Sequence, residues 1–265
     1  MLPLFVYRVD LSKLTFSSSI PIVAGIGIEL TAYAPALAAL LAVAVMRERR
    51  GIRRLLKPAL AWRVPLKWYV IAVAGSAVLF LAADVVRALV RAPLPATWVT
   101  FPGAAAIAFL VGALIAGSFG EEVGWRGLGQ RRLQGRYGAL AAALLVGFLW
   151  GLWHLWPVVA PGGLDGTTWA DGVLTVARLM AMSILFAWLF NSAEGSLLIV
   201  MLAHAGYNLG IRLVPSVTGD HADPFAVAMF VLAALVVVAA TGPRWLTRGH
   251  PRPEDRPTHK RLFML

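Results

Sequence analysis

The strongest constraint on this chain is a recurrence of apolar runs about as long as a lipid bilayer is thick. Seven occur, at about 25–46, 68–90, 100–120, 138–157, 173–190, 194–212 and 224–241. A helix needs roughly 20 mostly apolar residues to cross the hydrocarbon core, and each run is near that length. Composition agrees: 59% of the 265 residues are hydrophobic and 14% charged, where a soluble domain carries roughly 25% charged residues. A soluble fold of this length could not hide so much apolar side chain, so the excess must face lipid. The expected fold is all-α, a polytopic transmembrane helix bundle of seven or eight spans, the eighth being a short helix within Leu2–Tyr7. Residues 1–24 are expected as an N-terminal segment, 25–241 as the transmembrane domain with a motif core at about 100–212, and 242–265 as a basic tail. Residues 1–19 include Arg8, Asp10 and Lys13 and do not read as a cleavable signal peptide.

The net charge of +11 does not point to nucleic acid, because the basic residues cluster between apolar runs. The connection Arg47–Lys67, the stretch holding Arg126, Arg131, Arg132 and Arg136, and the tail Arg244–Arg261 are basic; Pro157–Gly172 has no Lys or Arg, and Ile211–Pro224 has one. Short basic loops stay on the cytoplasmic side. The expected protein is therefore multi-pass, with 47–67, 121–137 and the C-terminus in the cytoplasm and 157–172 outside. The chain has no cysteine, which removes disulfides, thiolate metal sites and a cysteine nucleophile together.

Ionisable groups at membrane depth are costly and are functional candidates by default. Here they are Glu29, Asp84, Glu121, Glu122, His154, Arg178, Glu194 and His204, with Asn208 as an uncharged companion. Glu29 and Asp84 read as structural, Asp84 pairing with Arg87 one turn along. Arg178 and Glu194 lie near span ends, where snorkelling or a local cap accounts for them. The other five fall into three groups: Glu121-Glu122-Val123-Gly124-Trp125-Arg126, Trp150-Gly151-Leu152-Trp153-His154, and His204-Ala205-Gly206-Tyr207-Asn208. Spacing of i,i+4 sets Glu122 beside Arg126, Trp150 beside His154, and His204 beside Asn208. Glu121 is turned about 100° from Glu122, so one carboxylate is expected to pair with Arg126 while the other faces the bundle. The polar stretch Gln134–Gly138 lies midway between Glu121 and His154. If it is a hairpin tip, both stand about 24 Å from it along their helices and are level with each other.

Each group alone has a bland reading: an interhelical histidine hydrogen bond, a solvated acidic rim, or an interfacial belt of Trp150, Trp153 and Trp156. Together and in this order, Glu-Glu-x-x-x-Arg, aromatic-x-x-x-His and His-x-x-x-Asn resemble the CPBP (ABI) family of membrane-embedded CAAX-type proteases. The stretch Tyr33-Ala34-Pro35-Ala36-Leu37-Ala38 before a basic loop fits as well. The resemblance implies an endopeptidase of a bacterial cell membrane acting on a membrane-associated peptide or protein. It implies that Glu121 with His154 activates water, and that His204 and Asn208 stabilise the oxyanion. Glu122 and Arg126 would then fix the helix that carries Glu121. The family's second motif usually begins with Phe where this chain has Trp150, a change expected to touch packing more than chemistry. The family also carries the name of metalloprotease, so a zinc ion on Glu121, His154 and His204 is the competing arrangement. The preferred expectation needs no cofactor, since no His-x-x-x-His helix spacing is present. His-Glu-x-x-His, Gly-x-Gly-Asp and Gly-x-Ser-Gly are absent too; Gly117-Ser118-Phe119-Gly120 has its serine misplaced. The rival readings are a transporter or channel with a Glu/His relay, and a non-catalytic scaffold that binds a membrane peptide.

Overall fold

The computed structural model describes residues 22–47, 50–159, 167–215 and 223–248. Every regular element among them is helical. In chain order these are α1 (Ile22–Val45), α2 (Gly51–Leu56), α3 (Leu66–Leu89), α4 (Ala105–Tyr137), α5 (Ala139–Trp153), α6 (Trp156–Val159), α7 (Trp169–Ser192), α8 (Leu197–Leu213) and α9 (Pro224–Thr241). Four of them, α3, α4, α7 and α9, are long and apolar enough to cross a membrane, and α5, α8 and the Glu29–Val45 part of α1 are shorter apolar helices. The protein is thus an all-α membrane bundle. The short helix expected within Leu2–Tyr7 and most of the basic tail lie outside the described residues.

The third apolar run underestimates its helix, which continues from Ala105 to Tyr137. The reason is visible in the packing. Glu122, Arg126, Gln130 and Gln134 are buried against protein, so hydropathy falls while the helix goes on. The fourth run ends early: α5 stops at Trp153 and a turn at His154 and Leu155 leads into α6.

Helix α8 forms the buried centre, with Leu197, Ile199, Val200 and Ala205 fully enclosed. It packs on α3, while α7 lies between α5 and α9. Large apolar residues face outward along the periphery, among them Val70, Val78 and Leu89 on α3, Ile107, Val111 and Ile115 on α4, and Leu232, Leu235 and Val236 on α9. That outward apolar surface is what lipid would cover. Close helix contact depends on missing side chains. A Cβ at Gly206 of α8 would lie 2.6 Å from the Ala72 carbonyl oxygen of α3, and one at Gly120 of α4 would lie 2.6 Å from the Ala32 carbonyl oxygen of α1.

The basic connections meet at one end of the bundle. Arg131 donates to the Arg54 carbonyl at 3.2 Å, and the Ala139 amide donates to the Arg244 carbonyl at 2.8 Å. Asp223 at the opposite end caps α9 through the amides of Phe225 and Ala226 and pairs with Arg87 at 2.5 Å. The expected Asp84–Arg87 pair is therefore corrected: Arg87 turns to the residue that caps α9, and Asp84 keeps one buried oxygen without a partner among the described residues.

Candidate active site

Helix α4 carries the acidic pair on a distorted stretch of backbone. It widens to π geometry over Leu114–Ser118 and again over Val123–Gln130, leaving the short α turn Phe119–Glu122 between them. Such widening is frequent at functional sites because it re-aims the side chains that follow. The two neighbouring carboxylates of that α turn, about 100° apart round the helix, meet two environments.

Glu122 is fully buried and serves as an anchor. Its two oxygens accept from Arg126 Nη1 at 3.0 and 3.1 Å, and Oε1 also meets His204 Nδ1 at 2.9 Å. The guanidinium of Arg126 lies over the rings of Trp150 and Phe186, 4.5 and 5.0 Å from their centroids. One carboxylate thus ties α4 to α8, and its cation partner ties α4 to α5 and α7. Glu121 has a different partner: its Oε2 accepts from the indole N–H of Trp150 at 2.6 Å. No second hydrogen bond to Glu121 is present among the described residues, which leaves Oε1 available.

That indole bond corrects the reading of Trp150 as a matter of packing. A phenyl ring at this position could not donate. Trp150 is also the hub of an aromatic cluster, edge-on to the rings of His154 at 5.7 Å and His204 at 5.3 Å. His154 Nδ1 lies 2.9 Å from the Trp150 carbonyl, an oxygen that only accepts, so Nδ1 carries a proton. In the neutral ring Nε2 then keeps its lone pair for another partner. His204 gives its Nδ1 to Glu122 in the same way, and donates through Nε2 only when both nitrogens are protonated. Asn208, one turn beyond His204 on α8, is half-buried and its side-chain amide has no hydrogen bond among the described residues; its backbone carbonyl accepts from Arg212 at 3.0 Å.

The structure therefore brings Glu121, Glu122, Arg126, Trp150, His154 and His204 into one connected cluster, with Asn208 at its margin. The zinc arrangement on Glu121, His154 and His204 does not fit this cluster. Among the described residues no three His, Asp or Glu side chains are placed to hold an ion together. Arg178 departs from the span-end position expected of it. Arg178 lies well inside α7 rather than at its end, because the helix starts at Trp169, and its guanidinium stacks over Tyr207 at 5.6 Å.

Residues 102–210 match the family described as type II CAAX prenyl endopeptidase, Rce1-like. Over 131 residues the chain is 28% identical to a protein named CAAX prenyl protease 2 from Methanococcus maripaludis, an alignment covering 47% of each chain. The match thus spans about half the length of that relative. All three motifs, from Glu121 to Asn208, fall inside the stretch that is similar to this family.

Proposed function

We propose that the protein is an endopeptidase that hydrolyses a peptide bond of a membrane-associated substrate with Glu121 as general base. The observation that carries this reading is the split of the acidic pair. Glu122 is neutralised by Arg126 and His204, whereas Glu121 is held by one indole donor and keeps an oxygen free.

In the proposed reaction, water lies between Glu121 Oε1 and His154 Nε2. The Nε2 lone pair accepts one water hydrogen and orients the molecule, and Oε1 takes the other proton as oxygen attacks the scissile carbonyl carbon. The carbonyl π electrons move onto oxygen, and the Asn208 amide with the doubly protonated His204 ring donates to that charge. Glu121 then passes its proton to the amide nitrogen. The C–N bond breaks, the oxyanion re-forms a carbonyl, and an acid and an amine leave. Glu122, Arg126 and Trp150 hold the geometry without touching the reacting atoms. The basic end, with the 47–67 and 126–136 segments and the C-terminal tail, lies on the cytoplasmic side in this reading.

The test is purified protein incubated with membrane-anchored peptides, prenylated and unprenylated, beside Glu121→Ala. New peptide ends that form with wild type and vanish with the variant are expected. Identical product profiles from the two proteins would overturn the proposal.

A further inference from the structure

Arg178 takes no part in the chemistry above, yet it sits beside it. It lies nine residues into α7, about 14 Å along the helix from its start, too deep for snorkelling to that end. Its level is set by two close contacts of α5. A Cβ at Gly147 would lie 2.7 Å from Met180 Cα, and one at Gly151 would lie 2.9 Å from Val176 Cα. Arg178 falls between these contacts, level with the turn of α5 that carries Trp150. Its guanidinium rests on Tyr207, within the His204–Asn208 turn, and it acts electrostatically on His154 together with Glu121 and His204.

The other deep arginines are compensated: Arg87 by Asp223 and Arg126 by Glu122. Arg178 is not. Its Nε is buried with no hydrogen-bond partner, and no carboxylate pairs with it among the described residues. Intramembrane charges ordinarily pair or line a ligand path, because an uncompensated one is expensive. A stack on one tyrosine ring offsets part of that cost and leaves the donor edge unused.

We infer that Arg178 binds a carboxylate of the substrate peptide. The inference rests on the endopeptidase reading for the nature of the ligand. The guanidinium presents a planar fork of donors that matches a carboxylate. A peptide reaching Glu121 and His154 carries such groups itself, at its chain end and on acidic side chains. Bound at Arg178, that carboxylate sets which peptide bond lies over Glu121, so the residue governs specificity.

The experiment compares three matched fluorescent peptides: a free terminal acid with no acidic side chain, its terminal amide, and the amide with one Asp. Binding is measured by anisotropy in a Glu121→Ala background, and KM for cleavage in the active protein, each with Arg178, Arg178→Gln or Arg178→Lys. Arg178→Gln should weaken binding and raise KM about 10- to 100-fold for the carboxylate-bearing peptides, while the neutral amide is unaffected. Arg178→Lys should retain part of the charge-dependent affinity. Which acidic peptide responds identifies the carboxylate as chain end or side chain. An equal loss for all three peptides indicates a structural role and overturns the inference, as does no change or no binding. Charge-dependent binding without cleavage by the active protein would count against the endopeptidase reading alone, whereas cleavage indifferent to peptide charge would count against Arg178 alone.

Discussion

Substituting Trp150 with Phe isolates the indole contact to Glu121. The ring is retained and the indole N–H, 2.6 Å from Glu121 Oε2, is deleted. A buried hydrogen bond to a charged group contributes about 1.5–3 kcal/mol net. The smaller ring also leaves a gap among Phe186, His154 and His204, which surround Trp150 at centroid distances of 5.3–5.9 Å, and incomplete repacking adds about 1 kcal/mol. Trp150→Phe should therefore destabilise the protein by on the order of 3 kcal/mol, read from denaturant unfolding in mild detergent. A double-mutant cycle with Glu121→Leu separates the two contributions. Cavity effects stay with Trp150→Phe in both backgrounds, and the hydrogen bond appears as a coupling of about 1.5–3 kcal/mol. A coupling below about 0.5 kcal/mol would mean that the indole does not hold the carboxylate, and the reasoning would fail.

Asn208→Ala should lower kcat about 10²–10³-fold with KM little changed, the loss typical of one oxyanion donor; a change confined to KM would remove Asn208 from that role. Peptidase activity should survive exhaustive chelation, since no described trio of acidic or imidazole ligands converges at the site. Activity lost on chelation and restored by stoichiometric zinc would show a metal-dependent mechanism. Gly206→Ala should destabilise the α8–α3 packing by roughly 1–3 kcal/mol, because its Cβ would lie 2.6 Å from the Ala72 carbonyl oxygen; an unchanged unfolding midpoint would show that the helices can part at that crossing. Single cysteines introduced at Arg53 and Arg136 should react from the cytoplasmic side and one at Thr168 from the outside; the chain has no native cysteine to interfere. Labelling of Thr168→Cys from the cytoplasmic side alone would reverse the orientation.

Much of the architecture was legible in the amino-acid sequence because it depends on length and local periodicity. Seven runs of bilayer length read as helices, and the described helices lie at each of them. The Glu122–Arg126 pair was legible for the same reason: i,i+4 neighbours meet on any helix whatever surrounds it, and here they meet even where the backbone widens. Motif order sufficed to indicate a family, since it depends on residue types and spacing alone. Tertiary structure decided the contacts that cross between helices. Trp150 reaches Glu121 across 29 positions and His204 reaches Glu122 across 82, and neither partner follows from local spacing. The same limit explains Arg87, whose sequence neighbour Asp84 lost to Asp223 on a distant segment. It also explains Arg178, which reads as a span-end residue until the start of α7 is known. A helix determines which side chains share its face, but the rotation and depth at which it meets its neighbours follow from whole-bundle packing, here from bare contacts such as Gly147, Gly151 and Gly206. Those rotations choose which carboxylate is neutralised and which keeps an oxygen without a partner among the described residues.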